Sequence, residues 1–508
     1  MSALAAILPR GYLSATRAFV LLAAVSLLFA DLAVTTMDPF GELRRMFAGL
    51  AAPDFAAIAG WSVVSTLAFA VVGVTLGAGA GFLLAIVFAR SRTVRIACAL
   101  VRSVHELFWA LLLMQVFGLS AITGVLAIAL PYAGICAKVY SEMIEEADLS
   151  ALVALPKATS TVSAFFYARL PDLAVRMKTY TLYRLECAMR STLVLGFIGL
   201  PTMGFYLESA FRQGRYAEAG ALLLVFYVLI GSRRLWARAR TLPLLFAAAI
   251  LALPSMGGSG DVSSNLLRFG RAIMPAPLRN GDWLSLETWS RFGAWLRSIV
   301  TEQILPGALE TLVLSQLALV ATGAGALALL PLVSRRFTGR LGQPLGRILL
   351  VVVRSTPEYV LAYVLLQLFG PSMLPAIIAL SIHNAGIIGY LMGRHVDGLA
   401  YRPDAPRGVN LYAYEVVPRA YGQFLAYLLY RWEIILRESA IFGILGVATL
   451  GFHVDAAISE LRLDVAVVLI LATGCMAIAV DALSRALRKS LRIERLPVRL
   501  STASIDRA

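Results

Sequence analysis

Long apolar runs alternate with short, arginine-containing polar stretches along almost the whole chain. A helix needs about 20 predominantly apolar residues to cross a bilayer core. The runs of roughly that length cover residues 17–36, 61–89, 96–118, 120–138, 177–200, 219–232, 241–256, 307–333, 348–370, 372–392, 427–450 and 465–483. The pattern therefore predicts an all-α membrane protein with about twelve transmembrane helices.

Composition and charge agree with this assignment. Of 508 residues, 59% are hydrophobic and 15% are charged, whereas roughly a quarter are charged in an average soluble protein. A net charge of +15 could reflect nucleic-acid binding, but the arginines cluster between apolar runs, as in cytoplasmic loops of membrane proteins. The clusters at 90–95, 233–240, 335–347 and 485–499 fall on one side if the chain starts in the cytoplasm. We therefore expect an uncleaved first helix and cytoplasmic N- and C-termini.

Motifs for a metal site, a disulfide framework or a nucleotide site are missing from the sequence. The four cysteines lie in or beside apolar runs without CxxC spacing. None of the lysines follows a glycine, as the lysine of a phosphate-binding P-loop does. We therefore expect no metal, no cofactor and no catalytic residues in this chain, which makes a membrane-embedded enzyme a poor candidate and leaves transport as the function class.

Two pairs of segments show that the sequence repeats itself. VRSVHELFWALLLMQVFG (101–118) matches VRSTPEYVLAYVLLQLFG (353–370) at nine of eighteen positions. YTLYRLECAMRSTLVLGFIG (180–199) matches YLLYRWEIILRESAIFGILG (427–446) at eight of twenty, including both arginines, the glutamate and two glycines. An even number of helices separates the copies, so the sequence predicts two parallel six-helix repeats, 1–240 and 241–508.

The second pair of segments places ionisable residues inside apolar runs. On a helix, Glu186 and Arg190 share a face with Tyr183, whereas Arg184 points elsewhere. The second copy supplies Tyr430, Arg431, Glu433 and Arg437. An ionisable group near the bilayer centre costs roughly 2.5–3.5 kcal/mol, so these faces are expected to look into the bundle.

Two interpretations of the charged faces stay open. In the first, the arginines line a translocation pathway and offer their planar guanidinium groups to an anion. In the second, Glu186 pairs with Arg190 and Glu433 pairs with Arg437, and the neutralised pairs form a gate.

The first pair of segments carries Arg102 with Glu106 and Arg354 with Glu358, each four residues apart near the start of a helix. We interpret each as a helix-entry ion pair, with a gating contact as the alternative. His383 has no counterpart in the first half and is interpreted as a packing residue rather than a ligand.

Each half resembles the membrane permease of the ATP-binding-cassette (ABC) importers for phosphonates and related phosphorus oxyanions. The resemblance rests on the Arg-Ser-x-x-Glu start of one helix, on Tyr-Arg-x-Glu-x-x-x-Arg, and on the following Gly-x-x-Gly at 196–199 and 443–446. Such permeases usually carry a proline before the glutamate, which Pro357 keeps and His105 replaces. The resemblance implies a type I ABC importer-like permease fold in the bacterial cytoplasmic (inner) membrane, with two permease halves fused in tandem.

The resemblance also implies partners. An ABC ATPase, expected as a homodimer that holds ATP and Mg²⁺, would drive transport, and a periplasmic or lipid-anchored solute-binding protein would deliver the substrate. The ATPase of such importers docks on a cytoplasmic EAA-type loop, and the loops 141–171 and 394–418 depart from that pattern. The corresponding positions are Ala154, Ala158 and Pro171 in the first loop and Ala405, Gly408 and Pro418 in the second.

A secondary, ion-coupled transporter is the alternative, because two parallel six-helix halves also occur in that class. The alanine-rich loop in each half favours the importer, since an ATPase needs a docking site and an ion-coupled carrier does not. The transported oxyanion stays open among phosphonate, phosphite, hypophosphite and phosphate.

Overall fold

A computed structural model describes residues 9–147, 155–156, 159–238, 240–254, 261–402 and 404–493. These described residues are helical and contain no strand, as the apolar pattern predicts. Ala154 and Ala158, two of the predicted ATPase-loop positions, lie outside the described residues.

The longer described helices, in chain order, are α1 (Arg10–Ser26), α2 (Pro39–Ala51), α3 (Gly60–Phe88), α4 (Arg92–Ser103), α5 (Glu106–Phe117), α6 (Ala121–Glu145), α7 (Leu170–Gly196), α8 (Met203–Arg212), α9 (Tyr216–Gly231), α10 (Leu242–Leu251), α11 (Val262–Ala272), α12 (Leu286–Ile299), α13 (Leu305–Val333), α14 (Arg335–Ser355), α15 (Glu358–Phe369), α16 (Met373–Asp397), α17 (Val417–Ser439), α18 (Leu450–Ser459) and α19 (Leu463–Ser490). Short helical turns lie at Thr161–Ser163, Arg233–Trp236, Ala276–Arg279 and Gly408–Leu411, π-helical turns at Ala164–Arg169, Val300–Ile304 and Tyr412–Val416, and a 3₁₀ turn at Ala440–Gly443.

Several helices are long and apolar enough to cross a membrane. Within the described residues there are five such spans: α3, α6, Leu286–Val333, α16 and α19. Two more pairs pass the same test jointly but are bent, α4 with α5 by 96° and α14 with α15 by 88°. The runs 96–118 and 348–370 are therefore broken rather than continuous helices. Counting each bent pair as one span gives up to seven among the described residues, and twelve spans stay a prediction.

The chain forms two compact units that differ from the predicted sequence halves. The first unit contains residues 45–271, and the second combines the described residues up to Arg44 with those from Ala272 onward. The N-terminal residues belong to the second unit because helix α1 packs on helices of that unit. Thr16 and Tyr421 are joined by a hydroxyl–hydroxyl hydrogen bond of 2.8 Å, and Phe19 meets Trp432 edge to face at 5.1 Å between ring centroids.

A series of seven helices follows the same order in the two units, α3 to α9 in the first and α13 to α19 in the second. Helices α3 and α13 both have 29 residues, α5 and α15 both have 12, and α6 and α16 both have 25. Helices α7 and α17 each follow a π-helical turn, and each has proline as its second residue. The sequence repeat therefore corresponds to a repeat of local structure inside the units.

Backbone packing at the end of the charged helices is also duplicated. A Cβ added to Gly196 would lie 2.1 Å from the Phe205 nitrogen, and one added to Gly443 would lie 2.0 Å from the Phe452 nitrogen. Only glycine allows helix α7 or α17 to approach the following segment so closely. Gly199 and Gly446 then turn the chain with φ of 91° and 90°, a conformation that favours glycine.

Candidate functional site

The repeated charged octamers lie on α7 and α17. Residues 183–190 fall in the second half of α7, and residues 430–437 fall in the second half of α17. Their side chains make different contacts in the two units.

Glu186 forms an ion pair with a residue from outside the octamer. The Arg233 guanidinium lies 3.4 Å from the Glu186 carboxylate and also donates to the Leu182 carbonyl at 2.8 Å. Both charged side chains are about four-fifths buried. Sequence reasoning missed this partner, because Arg233 belongs to an arginine cluster that was assigned to membrane orientation alone. The Glu186 carboxylate therefore has a cationic partner from outside its own helix.

Arg184 lies against two tyrosines of its own helix. Its guanidinium donates to the Tyr180 hydroxyl at 2.6 and 2.8 Å, and its Cζ is 5.0 Å from the Tyr180 ring centroid. The same Cζ is 5.8 Å from the Tyr183 ring centroid. The expectation that Arg184 points away from the Tyr183 side is wrong, because the long side chain reaches back over the preceding turn.

The remaining octamer residues occupy several environments. Arg190 donates to Cys187 Sγ at 3.6 Å, while Glu433 is buried and Arg437 is half-buried. Tyr183 and Tyr430 are exposed, and the Arg488 Cζ lies 5.9 Å from the Tyr430 ring centroid.

A bend between α4 and α5 lies between Arg102 and Glu106, whose predicted ion pair stays a prediction. Arg102 is the next-to-last residue of α4, and Glu106 is the first residue of α5. His105 occupies the position of Pro357 and adopts nearly the same backbone conformation, with φ −65° and ψ 143° against −61° and 143°. Its Nδ1 accepts a hydrogen bond from the Leu107 N–H at 3.2 Å. His105 therefore caps α5 where the other repeat uses proline.

Glu106 is held by a hydroxyl group from the charged helix. Ser191, the residue after the first octamer, donates to the Glu106 carboxylate at 2.6 Å. His105 Nε2 lies 4.0 Å from the same carboxylate. A carboxylate in the first turn of a helix is further stabilised by the helix dipole. Glu106 thus connects α5 to α7.

Glu358 at the start of α15 has a buried histidine as its neighbour. His383 on α16 is fully buried, with Nε2 3.8 Å from Glu358 and Nδ1 2.8 Å from the Thr356 carbonyl. The interpretation of His383 as a packing residue is therefore incomplete, because the ring lies in a polar cluster. The Arg354 Cζ lies 4.7 Å from the Tyr390 ring centroid.

Arg431 connects the second octamer to this cluster. Its Nε donates to the Asn384 side-chain oxygen at 2.6 Å, and a terminal nitrogen lies 3.8 Å from the Glu438 carboxylate. Asn384 also donates to Glu438 at 3.4 Å. The structure thus adds His383, Asn384 and Glu438 to the sequence-predicted residues Glu358 and Arg431.

The described parts of the predicted ATPase loops lead into the charged helices. Pro171 and Pro418 are the second residues of α7 and α17. Gly408 opens a short helical turn with φ 63°, and Ala405 packs against the apolar core of the second unit. Large side chains stand exposed on both segments, with Tyr167 at 85% and Val409 at 81% of full exposure.

The known proteins that are similar in sequence to this chain are permease proteins. No protein-family model and no solved structure matches the chain. The phosphate-import permease protein PhnE of Mycolicibacterium smegmatis is 28% identical over 471 residues, covering 85% of this chain and 85% of that protein. The phosphite transport system permease protein PtxC of Stutzerimonas stutzeri is 27% identical over 209 residues, covering 39% of this chain and 76% of that protein. The putative phosphite transport system permease protein HtxE of the same organism is 32% identical over 133 residues, covering 26% of this chain and 51% of that protein.

The apolar spans and the comparison with these membrane permeases define the class of this protein as a multi-pass membrane protein. More narrowly, the chain resembles the permeases of phosphonate-type ABC importers, with two permease halves in tandem, as predicted. The matched lengths agree with a fusion, because PtxC matches over 76% of its own length within 39% of this chain.

Proposed function

We propose that this chain is the transmembrane permease of an ABC importer that moves phosphonate or a related phosphorus oxyanion into the cytoplasm. The observation that carries the proposal is the similarity to a phosphate-import permease over 85% of both chains. Phosphite appears in the names of two other relatives, which supports a phosphorus oxyanion as the substrate class.

The charged helices supply suitable chemistry for such a substrate. Arg184 and Arg190 on α7 and Arg431 and Arg437 on α17 carry planar guanidinium groups, which bind phosphorus oxyanions through paired hydrogen bonds. Arg233 also lies 3.4 Å from Glu186, so the first octamer and this neighbour together supply three arginines and one glutamate. This supports a pathway role for the octamers, with gating by the paired groups as a compatible second role.

The membrane arrangement that we propose has twelve spans as two parallel repeats of a type I importer-like fold. The pairwise matching of helices in the two units supports it. The protein would lie in the inner membrane of a bacterium, with both termini in the cytoplasm. This orientation places the arginine clusters on the cytoplasmic side, as the positive-inside rule requires. During alternating access, the charged octamers would be open to the substrate first from the periplasmic side and then to the cytoplasmic side.

A separate ATPase would supply the energy, and ATP and Mg²⁺ would bind to it. We propose that it docks on the segments that precede α7 and α17, where Pro171, Ala405, Gly408 and Pro418 lie. The exposed side chains Tyr167 and Val409 support this assignment, because large exposed apolar groups commonly mark protein contacts. Two docking segments in one chain fit an ATPase homodimer, and a periplasmic or lipid-anchored solute-binding protein would deliver the substrate.

Reconstitution in proteoliposomes tests the function and the energy source together. The purified chain, combined with the ATPase and the binding protein encoded beside it, should take up radiolabelled phosphate, phosphite or methylphosphonate only when ATP is enclosed on the ATPase side. The chain alone should hydrolyse no ATP. Uptake driven by a proton gradient without the ATPase would refute the proposal and identify a secondary transporter.

A further inference from the structure

A buried group of potential metal ligands lies in the second unit, at a place where the sequence indicates no metal motif. Glu358 from α15, His383 from α16 and Glu438 from α17 each offer one ligand atom, and these atoms all lie within 4.8 Å of one another. Their side chains are 11%, 0% and 14% exposed. Three successive long helices therefore bring one imidazole and two carboxylates together inside the protein.

The orientation of the His383 ring fixes which nitrogen faces the carboxylate. Nδ1 lies 2.8 Å from the Thr356 carbonyl, which can only accept, so Nδ1 carries the hydrogen. In the neutral ring Nε2 then presents a lone pair, and it lies 3.8 Å from the Glu358 carboxylate. A histidine that donates one N–H to a backbone carbonyl and turns its other nitrogen toward carboxylates has the arrangement found around metal-ligating histidines.

Glu438 is also oriented by its neighbours. Asn384 donates to its carboxylate at 3.4 Å, and Arg431, itself bonded to Asn384, lies 3.8 Å away. Two carboxylates in a poorly hydrated place repel each other unless positive charge lies close to both. A divalent cation between Glu358 and Glu438 would add to the charge that Arg431 supplies, and it would also use the Nε2 lone pair.

The other repeat satisfies its glutamate in a different way. The aligned segments place Glu106 opposite Glu358 and Ser191 opposite Glu438. Pro131 and His383 are each the eleventh residue of the matching 25-residue helices α6 and α16. Ser191 donates to Glu106 at 2.6 Å, so a hydroxyl group stands where the second unit has another carboxylate. Proline cannot bind a metal through its side chain. The complete ligand set therefore occurs in the second unit and not at the matching described positions of the first.

We propose that Glu358, His383 and Glu438 form a binding site for one divalent transition-metal ion, with Zn²⁺ as the best match. One imidazole and two carboxylates suit Zn²⁺ better than Mg²⁺ or Ca²⁺, which prefer oxygen ligands alone. Ligand bonds of about 2.0–2.2 Å require the three groups to move together by roughly 1 Å on binding. The site does not rest on the proposed transport function.

Metal content of the full-length chain gives the first test. Protein purified without a histidine tag and stripped with a chelator should bind one Zn²⁺ per chain in equilibrium dialysis against ZnCl₂, measured by mass spectrometry. His383→Gln and Glu438→Ser, the latter introducing the residue of the other repeat, should each weaken Zn²⁺ binding at least about tenfold. The control His395→Gln, on the same helix but outside the cluster, should retain one ion. Absence of binding, or binding unchanged in both variants, would overturn the proposal.

A second measurement keeps the test decisive if a variant does not fold. Zinc-edge X-ray absorption of the wild-type chain should show nitrogen and oxygen ligands that include one imidazole. Thiolate ligation, or anomalous scattering that places the ion away from His383, would overturn the site. Neither readout depends on uptake, so failure of the metal site is distinguishable from failure of the transport proposal.

Discussion

Ser191 on α7 donates a hydrogen bond to the Glu106 carboxylate at 2.6 Å, and the residue that replaces Ser191 in the second repeat is Glu438. One position of the repeated sequence thus supplies a hydroxyl donor in one unit and a second carboxylate in the other. The two units share a framework of helices but differ in the chemistry of their charged clusters.

Replacing Ser191 by alanine should destabilise the protein, because the Glu106 carboxylate loses a donor in a largely buried place. Hydrogen bonds to charged groups contribute about 1.5–3 kcal/mol, so we expect a loss in this range. Thermal unfolding in detergent measures it. Ser264→Ala, which removes an exposed hydroxyl bonded to a backbone carbonyl, is the control and should have little effect. Equal effects of the two substitutions would contradict the importance of the Ser191–Glu106 contact.

The Glu186–Arg233 ion pair should couple α7 to the segment after α9. In a double-mutant cycle of Glu186→Gln and Arg233→Gln, the free energies of unfolding should be non-additive by about 0.5–3 kcal/mol. The side chains of this pair are 19% and 20% exposed. Those of the control pair, Glu287 and Arg291, are 70% and 72% exposed. Exposed pairs contribute little, so a larger coupling in the control would argue against our assignment.

His105→Pro should be tolerated, although proline normally disrupts helices. His105 already has φ −65°, and Val104 before it has an extended conformation that a following proline accepts. The free energy of unfolding should change by less than about 1.5 kcal/mol, which includes the loss of one cap. Leu111→Pro within α5 should destabilise by about 3 kcal/mol or more. Similar losses at both positions would show that His105 is needed for more than the bend.

Gly196→Ala should be strongly destabilising, because the added Cβ would lie 2.1 Å from the Phe205 backbone nitrogen. The backbone would have to separate at this crossing, so we expect a loss of at least about 3 kcal/mol or failure to fold. Gly293→Ala on α12 is the matched control. Nothing lies within 4 Å of its new Cβ, so alanine should stabilise this helix by roughly 0.5–1 kcal/mol. Unchanged thermal stability of the Gly196 variant would refute the close approach.

Arg190→Ala combined with Arg437→Ala should reduce ATP-driven uptake at least about tenfold, because each guanidinium lost removes charge-assisted hydrogen bonds to an anion. Expression and the unfolding temperature should be measured alongside uptake, so that misfolding is recognised. Arg462→Ala, an exposed residue beside α19, serves as the control and should transport normally. Normal coupled uptake in the double variant would remove both arginines from the pathway.

Much of the helical framework follows from local sequence. Apolar periodicity locates the long helices, and the identities between 101–118 and 353–370 place Glu106 and Glu358 at equivalent helix starts. Apolar character alone does not predict the bends before these residues, because an interruption of a helix by only two residues leaves the mean hydropathy of the run almost unchanged. Pro357 was the available local signal, and His105 reproduces its conformation without resembling it chemically.

The partners of the charged residues were decided by tertiary packing. Local spacing pairs Glu186 with Arg190, yet Arg233, 47 positions along the chain, reaches the Glu186 carboxylate because the segment after α9 returns to α7. In the sequence, His383 is an isolated histidine in an apolar helix. Only the meeting of α15, α16 and α17 places it beside Glu358 and near Glu438.

The sequence by itself determined that the chain is a membrane protein with a repeated, charged helix, because hydrophobic length and the register of identical polar residues are local properties. The tertiary structure decided that α1 packs with the second unit, that Glu186 pairs with Arg233, and that one repeat gathers two carboxylates around an imidazole. These contacts join segments far apart in the chain, and their geometry depends on how helices cross, which the spacing of residues along one helix does not contain.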